Sequence, residues 1–265
     1  MSIWRLLKLE THTAFMNMAI DEAVLRAKNE NLVPNTLRFY RWKPSAVSIG
    51  RFQNIEDEVQ LDDCRKNGVD VVRRITGGGT VYHDAEDEIT YSVVACKKDL
   101  ENPDITAIYA KTCSGLAEAV KILGVNADFN KGDVKTCPNL TVNDRKISGS
   151  AQSHKKGVVL QHGTLLIHVD LEKMFTFLRV SWAEARVEVV NIAKRKITSI
   201  EEELGREISI GEVNNALIDG FKKALNMKLL EDELTLYERE LAKKLHKEKY
   251  ATDDWNLNAK SIHRE

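Results

Sequence analysis

The stretch Arg73-Arg74-Ile75-Thr76-Gly77-Gly78-Gly79-Thr80-Val81-Tyr82-His83-Asp84 organises the chain. It follows a β-branched run, Val69, Val71 and Val72, and leads into residues 80–83 and 89–95, both of which read as strand. The unit is therefore strand–loop–strand. A Walker loop needs Gly-Lys-Ser/Thr opening a helix, and the dinucleotide fingerprint spaces its glycines differently before a helix, so both are excluded. Glycine lets backbone approach a ligand and adopt positive φ without strain. Successive exposed N–H groups make a concavity for anions, and two arginines add forked donors suited to phosphate or carboxylate. A plain hairpin turn needs one or two glycines and neither the Arg-Arg pair nor the histidine.

Working outward, residues 4–9 read as a first strand and residues 13–28 as a helix with an apolar face. Strand-like runs at 36–40 and 46–49 are joined by a turn containing Pro44, and a polar helix over 56–67 is closed by Gly68. Residues 104–123 predict a helix ended by Gly124. Short strands at 140–142, 146–152 and 158–169 form a meander. From about residue 171 the pattern is helical, over 171–178, 197–204, 210–225 and 234–249. No repeat or linker interrupts the chain, which predicts a single domain over 1–265 of α+β type, and neither a barrel nor a doubly wound sheet.

Composition sets further bounds. The 39 basic and 40 acidic residues give a net charge of −1, so no overall field favours nucleic acid and any anion site is local. Four cysteines, Cys64, Cys96, Cys113 and Cys137, lie far apart without a CxxC pair, which argues against a metal ribbon or a disulfide framework. The N-terminus lacks a signal-peptide apolar region, and no apolar run approaches the ~20 residues of a membrane span. A cytoplasmic protein with no membrane partner is expected.

A second chemical stretch is Asn143-Asp144-Arg145-Lys146-Ile147-Ser148-Gly149-Ser150-Ala151-Gln152. Its small side chains leave room for something to lie against the strand, and Lys146 beside that gap is a point charge for a phosphate or an acyl carbonyl. Read alone, Lys146 is equally well a solvent-facing lysine. Gln161-His162-Gly163-Thr164-Leu165 places a histidine and a glycine inside an apolar strand, and a hydrogen-bonded core histidine explains His162 by itself. His83, beside the glycine loop, is the stronger candidate.

Taken in order, Arg-Arg-x-Thr-Gly-Gly-Gly-x-Val-Tyr-His-Asp, Arg-Lys-Ile-Ser-Gly-Ser-Ala-Gln and His-Gly-Thr-Leu-Leu resemble the lipoate–protein ligase and octanoyltransferase family. The resemblance extends over Asn17–Ala23, Arg38–Tyr40, Ser48–Asn54 and Lys249–Asn256. It implies a mostly antiparallel sheet flanked by helices, the catalytic-domain fold of biotin and lipoate ligases, related to class II aminoacyl-tRNA synthetases. It further implies activation of lipoate or octanoate with ATP and Mg2+ to an acyl-AMP, then transfer to a lysine of a lipoyl domain. Such domains belong to 2-oxoacid dehydrogenase E2 subunits or to the glycine cleavage H protein. Carried over by motif, Arg74, Gly77, Gly78, Gly79, Thr80, Val81, Tyr82, His83 and Lys146 bind the nucleotide. Arg73, His83, Ser150, His162, Gly163 and Thr164 contact the acyl substrate. Lys146 is the catalytic residue, a preorganised cation where two anions meet and where an oxyanion develops.

Within the family the ligase is the expected member, and octanoyl transfer from acyl carrier protein through a cysteine thioester is the alternative. The transferases place their cysteine either well upstream of the lysine motif or in a Cys-Pro pair downstream of it. Here Cys137 precedes Lys146 by nine residues, and the ungapped upstream position falls on Lys131. The third glycine, Gly79, also resembles the ligases, whereas Asp87–Ser92 and Gly157–His162 resemble the transferases. Pro138-Asn139-Leu140 stands where many ligases carry Asn-Asp-Leu/Ile. A separate accessory subunit is an expected partner for the activation half-reaction.

Overall fold

The computed structural model describes residues 2–100, 104–132, 138–183 and 185–258. β1 (Ser2–His12) leads into α1 (Ala14–Asn29), whose start is fixed by the Thr13 hydroxyl accepting from the Met16 N–H at 3.3 Å. β2 (Thr36–Trp42) and β3 (Ala46–Ile49) follow. The continuous helix expected over 56–67 is two short ones, α2 (Ile55–Glu58) and α3 (Leu61–Lys66), because Val59 leaves the helix to bridge Leu178. Gly68 ends this segment at φ +64°. β4 (Asp70–Arg73) and β5 (Val81–His83) flank the glycine loop, and β6 (Glu88–Cys96) comes next.

α4 (Ile105–Ile122) is capped by Asp104, whose carboxylate accepts from the Ala107 N–H at 2.8 Å, and it gives way to Gly124 at φ +97°. β7 (Asp128–Asn130), β8 (Asn139–Val142), β9 (Arg145–Lys155) and β10 (Val158–Leu166) form an antiparallel meander. α5 (Leu171–Phe177), α6 (Arg186–Lys194), α7 (Ile200–Leu204) and α8 (Ile210–Ala224) follow. The chain then returns as β11 (Met227–Asp232), which corrects the expectation of a wholly helical end. α9 (Leu236–Leu245), a π-helical turn at His246–Tyr250 and α10 (Asp253–Asn256) complete the described elements.

Eight strands make one sheet in the order β11-β1-β2-β6-β10-β9-β8-β7. Its pairs from β2 through β7 are antiparallel, and β1 is parallel to both its neighbours. The fold is α+β, a mostly antiparallel sheet flanked by helices. Strand alternation sorts the side chains between two layers. Ile89, Tyr91, Val93 and Ala95 of β6 join a core with Leu116 of α4 and Phe221 of α8, while Val94 joins Ala23 of α1 and Ala242 of α9 on the other face. A smaller sheet, β4-β3-β5, packs with α5 and α6 around Val47, Ile49 and Phe177. Arg5 of β1 clamps α9 through a two-pronged bond to Glu238 at 2.8 and 2.5 Å, fully buried. No helix among the described residues is long and apolar enough to cross a membrane.

Candidate active site

A cavity of about 550 Å³ lies between the glycine loop, the small sheet and the α1-facing side of the large sheet. The loop is drawn onto the strand edge by backbone bonds from Arg74 N–H to the Ile49 carbonyl and from Arg51 N–H to the Thr76 carbonyl, each 2.9 Å. A Cβ on Gly50 would sit 2.1 Å from the Gly78 carbonyl oxygen, so the approach requires glycine there. Gly78 itself turns at φ +88°.

Of the loop residues singled out in the sequence, Arg74, Gly78, Gly79, Thr80, Val81 and His83 line this cavity. Lys146, Ser150, His162, Gly163 and Thr164 line its opposite side. The two motifs and the histidine strand therefore meet across one space. A second chamber of about 460 Å³ shares Thr80, Val81, Lys146, Gly149 and Thr164 with the first and continues toward Phe175, Trp182 and Tyr82.

Four placements differ from expectation. Arg73 does not face the cavity: it ends β4 pointing oppositely to Arg74, as alternation requires. Its side chain is buried, donating to the carbonyls of Gly50, Gln53, Trp255 and Asn256. It fastens the C-terminal segment to the loop and touches no substrate space. Gly77 lines neither chamber, and Tyr82 lines only the second, where it stacks on Phe177 and donates to Asp84. Ser150 contributes to the wall, but its hydroxyl lies 2.9 Å from that of Tyr91, on the α4 side of the sheet.

Arg74 reaches the cavity wall with its five N–H groups directed at protein oxygens: Thr76 Oγ1, the carbonyl and hydroxyl of Ser48, and the carbonyls of Gly77 and Gly79. It shapes the loop from behind. Lys146 is held by its backbone, its N–H donating to the Lys196 carbonyl at 2.7 Å and its carbonyl accepting from the Thr198 N–H at 3.0 Å. The next turn of the strand makes room for its side chain. A Cβ on Gly149 would lie 2.8 Å from both Cε and Nζ of Lys146.

Two buried histidines complete the wall. His162 Nδ1 lies 3.0 Å from Asp21 Oδ2 and its Nε2 2.8 Å from Thr76 Oγ1. Burial pulls the His162 pKa below its ordinary value against the opposing pull of Asp21, so the ring is neutral near pH 7. Burial opposes ionisation of Asp21 too, but the bond from His162 and the charge of Arg38 outweigh it and hold the carboxyl below its usual range. His83 Nδ1 lies 2.7 Å from Glu88 Oε1, its Nε2 2.7 Å from Ser48 Oγ, and its ring stacks on Trp42 at 3.9 Å. Sequence reasoning missed Ser48, Asp21 and Glu88. The signal available was an acid set in an otherwise apolar helix or strand, which only a buried partner makes tolerable. Among the described residues, no group of three or more His, Cys, Asp or Glu side chains is placed to hold a metal ion.

The sequence profile described as the lipoyl protein ligase A/B catalytic domain matches residues 13–222. The chain belongs to that family. A curated relative from Clostridioides difficile (strain 630), named octanoyltransferase LipM, is 36% identical over 271 residues, covering 97% of this chain and 99% of its own. Further curated relatives carry the same name. Among solved structures, the bi-partite lipoate protein ligase of Thermoplasma acidophilum, described with its E2 lipoyl domain, is 33% identical with a TM-score of 0.85. It covers 99% of this chain and 100% of that one. A lipoate-protein ligase A bound with ATP is 34% identical with a TM-score of 0.83, covering 97% and 99%.

These relatives confirm the enzyme family and its fold, and they correct the expected activity. The curated relatives are octanoyltransferases, which overturns the reading as an ATP-dependent ligase and favours the alternative. The physical reason lies in the loop. Arg74 Nη2 is bonded to the Gly77 and Gly79 carbonyls, which any residue supplies, and a Cβ on Gly79 would meet open space, so the third glycine answers no structural demand that tells ligase from transferase. ATP has support from one solved relative and none from the curated ones, and the expected Mg2+ and accessory subunit belonged to the adenylation step. Cys137, counted against transfer by its spacing, lies outside the described residues.

Proposed function

We propose that this chain transfers an octanoyl group from an acyl-carrier thioester to a lysine of a lipoyl domain, with Cys137 as the intermediate acyl carrier. The observation that carries this reading is the likeness to octanoyltransferases over 97% of the chain. An E2 lipoyl domain as acceptor follows the solved ligase that is described with one. Cys137 is chosen for its neighbours: Pro138 and Asn139, next in sequence, line the cavity with Lys146. The three other cysteines line neither chamber, and burial pushes the Cys64 and Cys113 thiols up to about 11, away from the reactive thiolate.

In the first step the Cys137 thiolate attacks the octanoyl thioester, the carrier thiol departs with a proton, and the acyl group stays as a new thioester. In the second, the acceptor lysine attacks that carbonyl, an amide forms and the Cys137 sulfur leaves. Lys146 is the cation we assign to stabilise the oxyanion of both tetrahedral intermediates and to favour the thiolate. The apolar wall of Met18, Val81 and Ala151 suits an alkyl chain.

The test is product formation on an isolated lipoyl domain, read by mass. Octanoyl carrier protein without ATP is expected to serve as donor, and Cys137→Ser to abolish transfer. Full transfer by Cys137→Ser, or transfer only from free octanoate with ATP, overturns the proposal.

A further inference from the structure

Two buried chains of carboxylate, histidine and hydroxyl converge on Arg74: Glu88–His83–Ser48 and Asp21–His162–Thr76. Arg74 donates to both hydroxyls, at 2.8 Å from Nη1 to Ser48 and at 3.3 Å from Nε to Thr76. A guanidinium has no acceptor, so each hydroxyl turns its own hydrogen to the facing imidazole Nε2. Each ring then carries its proton on Nδ1 and donates it to the carboxylate. Both histidines are thereby fixed as Nε2 bases whose hydrogen-bonded outlet is a hydroxyl.

The two chains differ at the cavity. Ser48 and His83 both line it, whereas Thr76 does not. Glu88 also has capacity in reserve. Its Oε1 accepts from His83 and from the Thr90 hydroxyl at 3.0 Å, while Oε2 is buried with no hydrogen-bond partner. Trp42, stacked on His83 at 3.9 Å, fixes the ring plane.

We propose that Ser48, His83 and Glu88 are the proton exit for the acceptor lysine, a role that rests on the octanoyl-transfer reading. The acceptor arrives as an ammonium, which has no lone pair with which to attack. Its proton passes to Ser48 Oγ as the serine's own hydrogen moves to His83 Nε2. The freed amine attacks the thioester carbonyl and the C–N bond forms. The C–S bond breaks as the tetrahedral intermediate collapses, and the second amine proton goes to the departing sulfur. The imidazolium then returns its proton to solvent. Ser48 is the group that meets the amine; His83 acts through it, and Glu88 is a positioning residue. The other charged or titratable groups facing His83 are Arg74 and His162, with Lys146 across the cavity and Tyr40 beyond Glu88.

The experiment uses the full chain, first acylated with octanoyl carrier protein and then mixed with either of two amines. One is the lipoyl domain; the other is hydroxylamine, which is largely unprotonated near pH 7 and needs no proton exit. Glu88→Gln, which keeps the size and the Thr90 bond, and Ser48→Ala are compared with the unsubstituted chain. Acylation is expected to persist, attack by hydroxylamine to stay within about threefold, and attack by the lipoyl lysine at pH 7 to fall ~10²-fold or more. The lost rate is expected to return about tenfold per pH unit as free amine accumulates. Equal loss toward both amines, or an unchanged pH profile, overturns the relay. Failure of the unsubstituted chain to acylate removes the octanoyl-transfer reading and the relay with it, whereas failure of a variant alone to acylate overturns only the relay.

Discussion

Gly149→Ala isolates the position of one ammonium from everything else in the fold. The added Cβ meets Lys146 Cε and Nζ at 2.8 Å, whereas ordinary contact begins at 3.4 Å. The ammonium therefore withdraws by roughly 0.6 Å or more to reach van der Waals separation. The obstructed atoms are the far end of a flexible side chain, so the strand itself keeps its register, and replacing a strand glycine stabilises by ~0.5–1 kcal/mol where the backbone allows. A displacement near 1 Å at a reacting centre costs ~10²-fold in rate. That corresponds to about 2.7 kcal/mol of transition-state stabilisation at 1.36 kcal/mol per decade. Single-turnover octanoyl transfer to a lipoyl domain, paired with a thermal melt, reads both quantities. The expected result is a rate ~100-fold lower at an unchanged or slightly raised Tm. A rate within threefold of the unsubstituted protein, at the same Tm, refutes the claim that transfer depends on where Lys146 is held.

Gly163→Ala behaves differently, because its Cβ meets the Gly149 carbonyl oxygen at 2.2 Å and the Tyr91 ring at 2.9 Å. Backbone cannot step aside, and a loss of about 1–3 kcal/mol of stability by urea titration is expected. Arg5→Ala leaves Glu238 buried without its partner, with an expected loss of about 3–5 kcal/mol in the same assay. Burial raises the Glu238 pKa, but the bonds from Arg5 and Thr235 outweigh it and hold the carboxyl below 4.5. Its stabilisation is therefore complete above pH 4.5 and disappears as pH falls through the lower folded-state value, which Glu238→Gln removes from the pH–stability curve. His162 acts nearer neutrality. Its folded-state pKa lies below 6.5, so stability is full above that pH and declines as pH falls beneath it, and His162→Gln is expected to flatten that part of the curve.

The alternation of Ile89 to Ala95 made β6 legible, and the glycine loop marked the site wall, because both depend on local periodicity and backbone freedom. β11 escaped detection since only Met227 of its six residues is buried, leaving an edge strand without an alternating pattern. Which of two adjacent arginines faces the cavity depends on the phase of a strand only four residues long, and Arg73 faces away. The buried partner of His162 was invisible for a different reason. His162 and Asp21 are 141 positions apart, and no spacing rule joins them. The distinction between ligase and transferase was misread at Gly79, where an added Cβ would meet nothing within 4 Å, so the residue there does not report the chemistry.

Intact mass of the protein after incubation with octanoyl carrier protein, without ATP, tests the central claim most directly. The predicted result is an increment of one octanoyl group that maps to Cys137, is released by hydroxylamine and disappears when a lipoyl domain is added. An unmodified mass, together with product that forms from octanoate only when ATP is supplied, contradicts it.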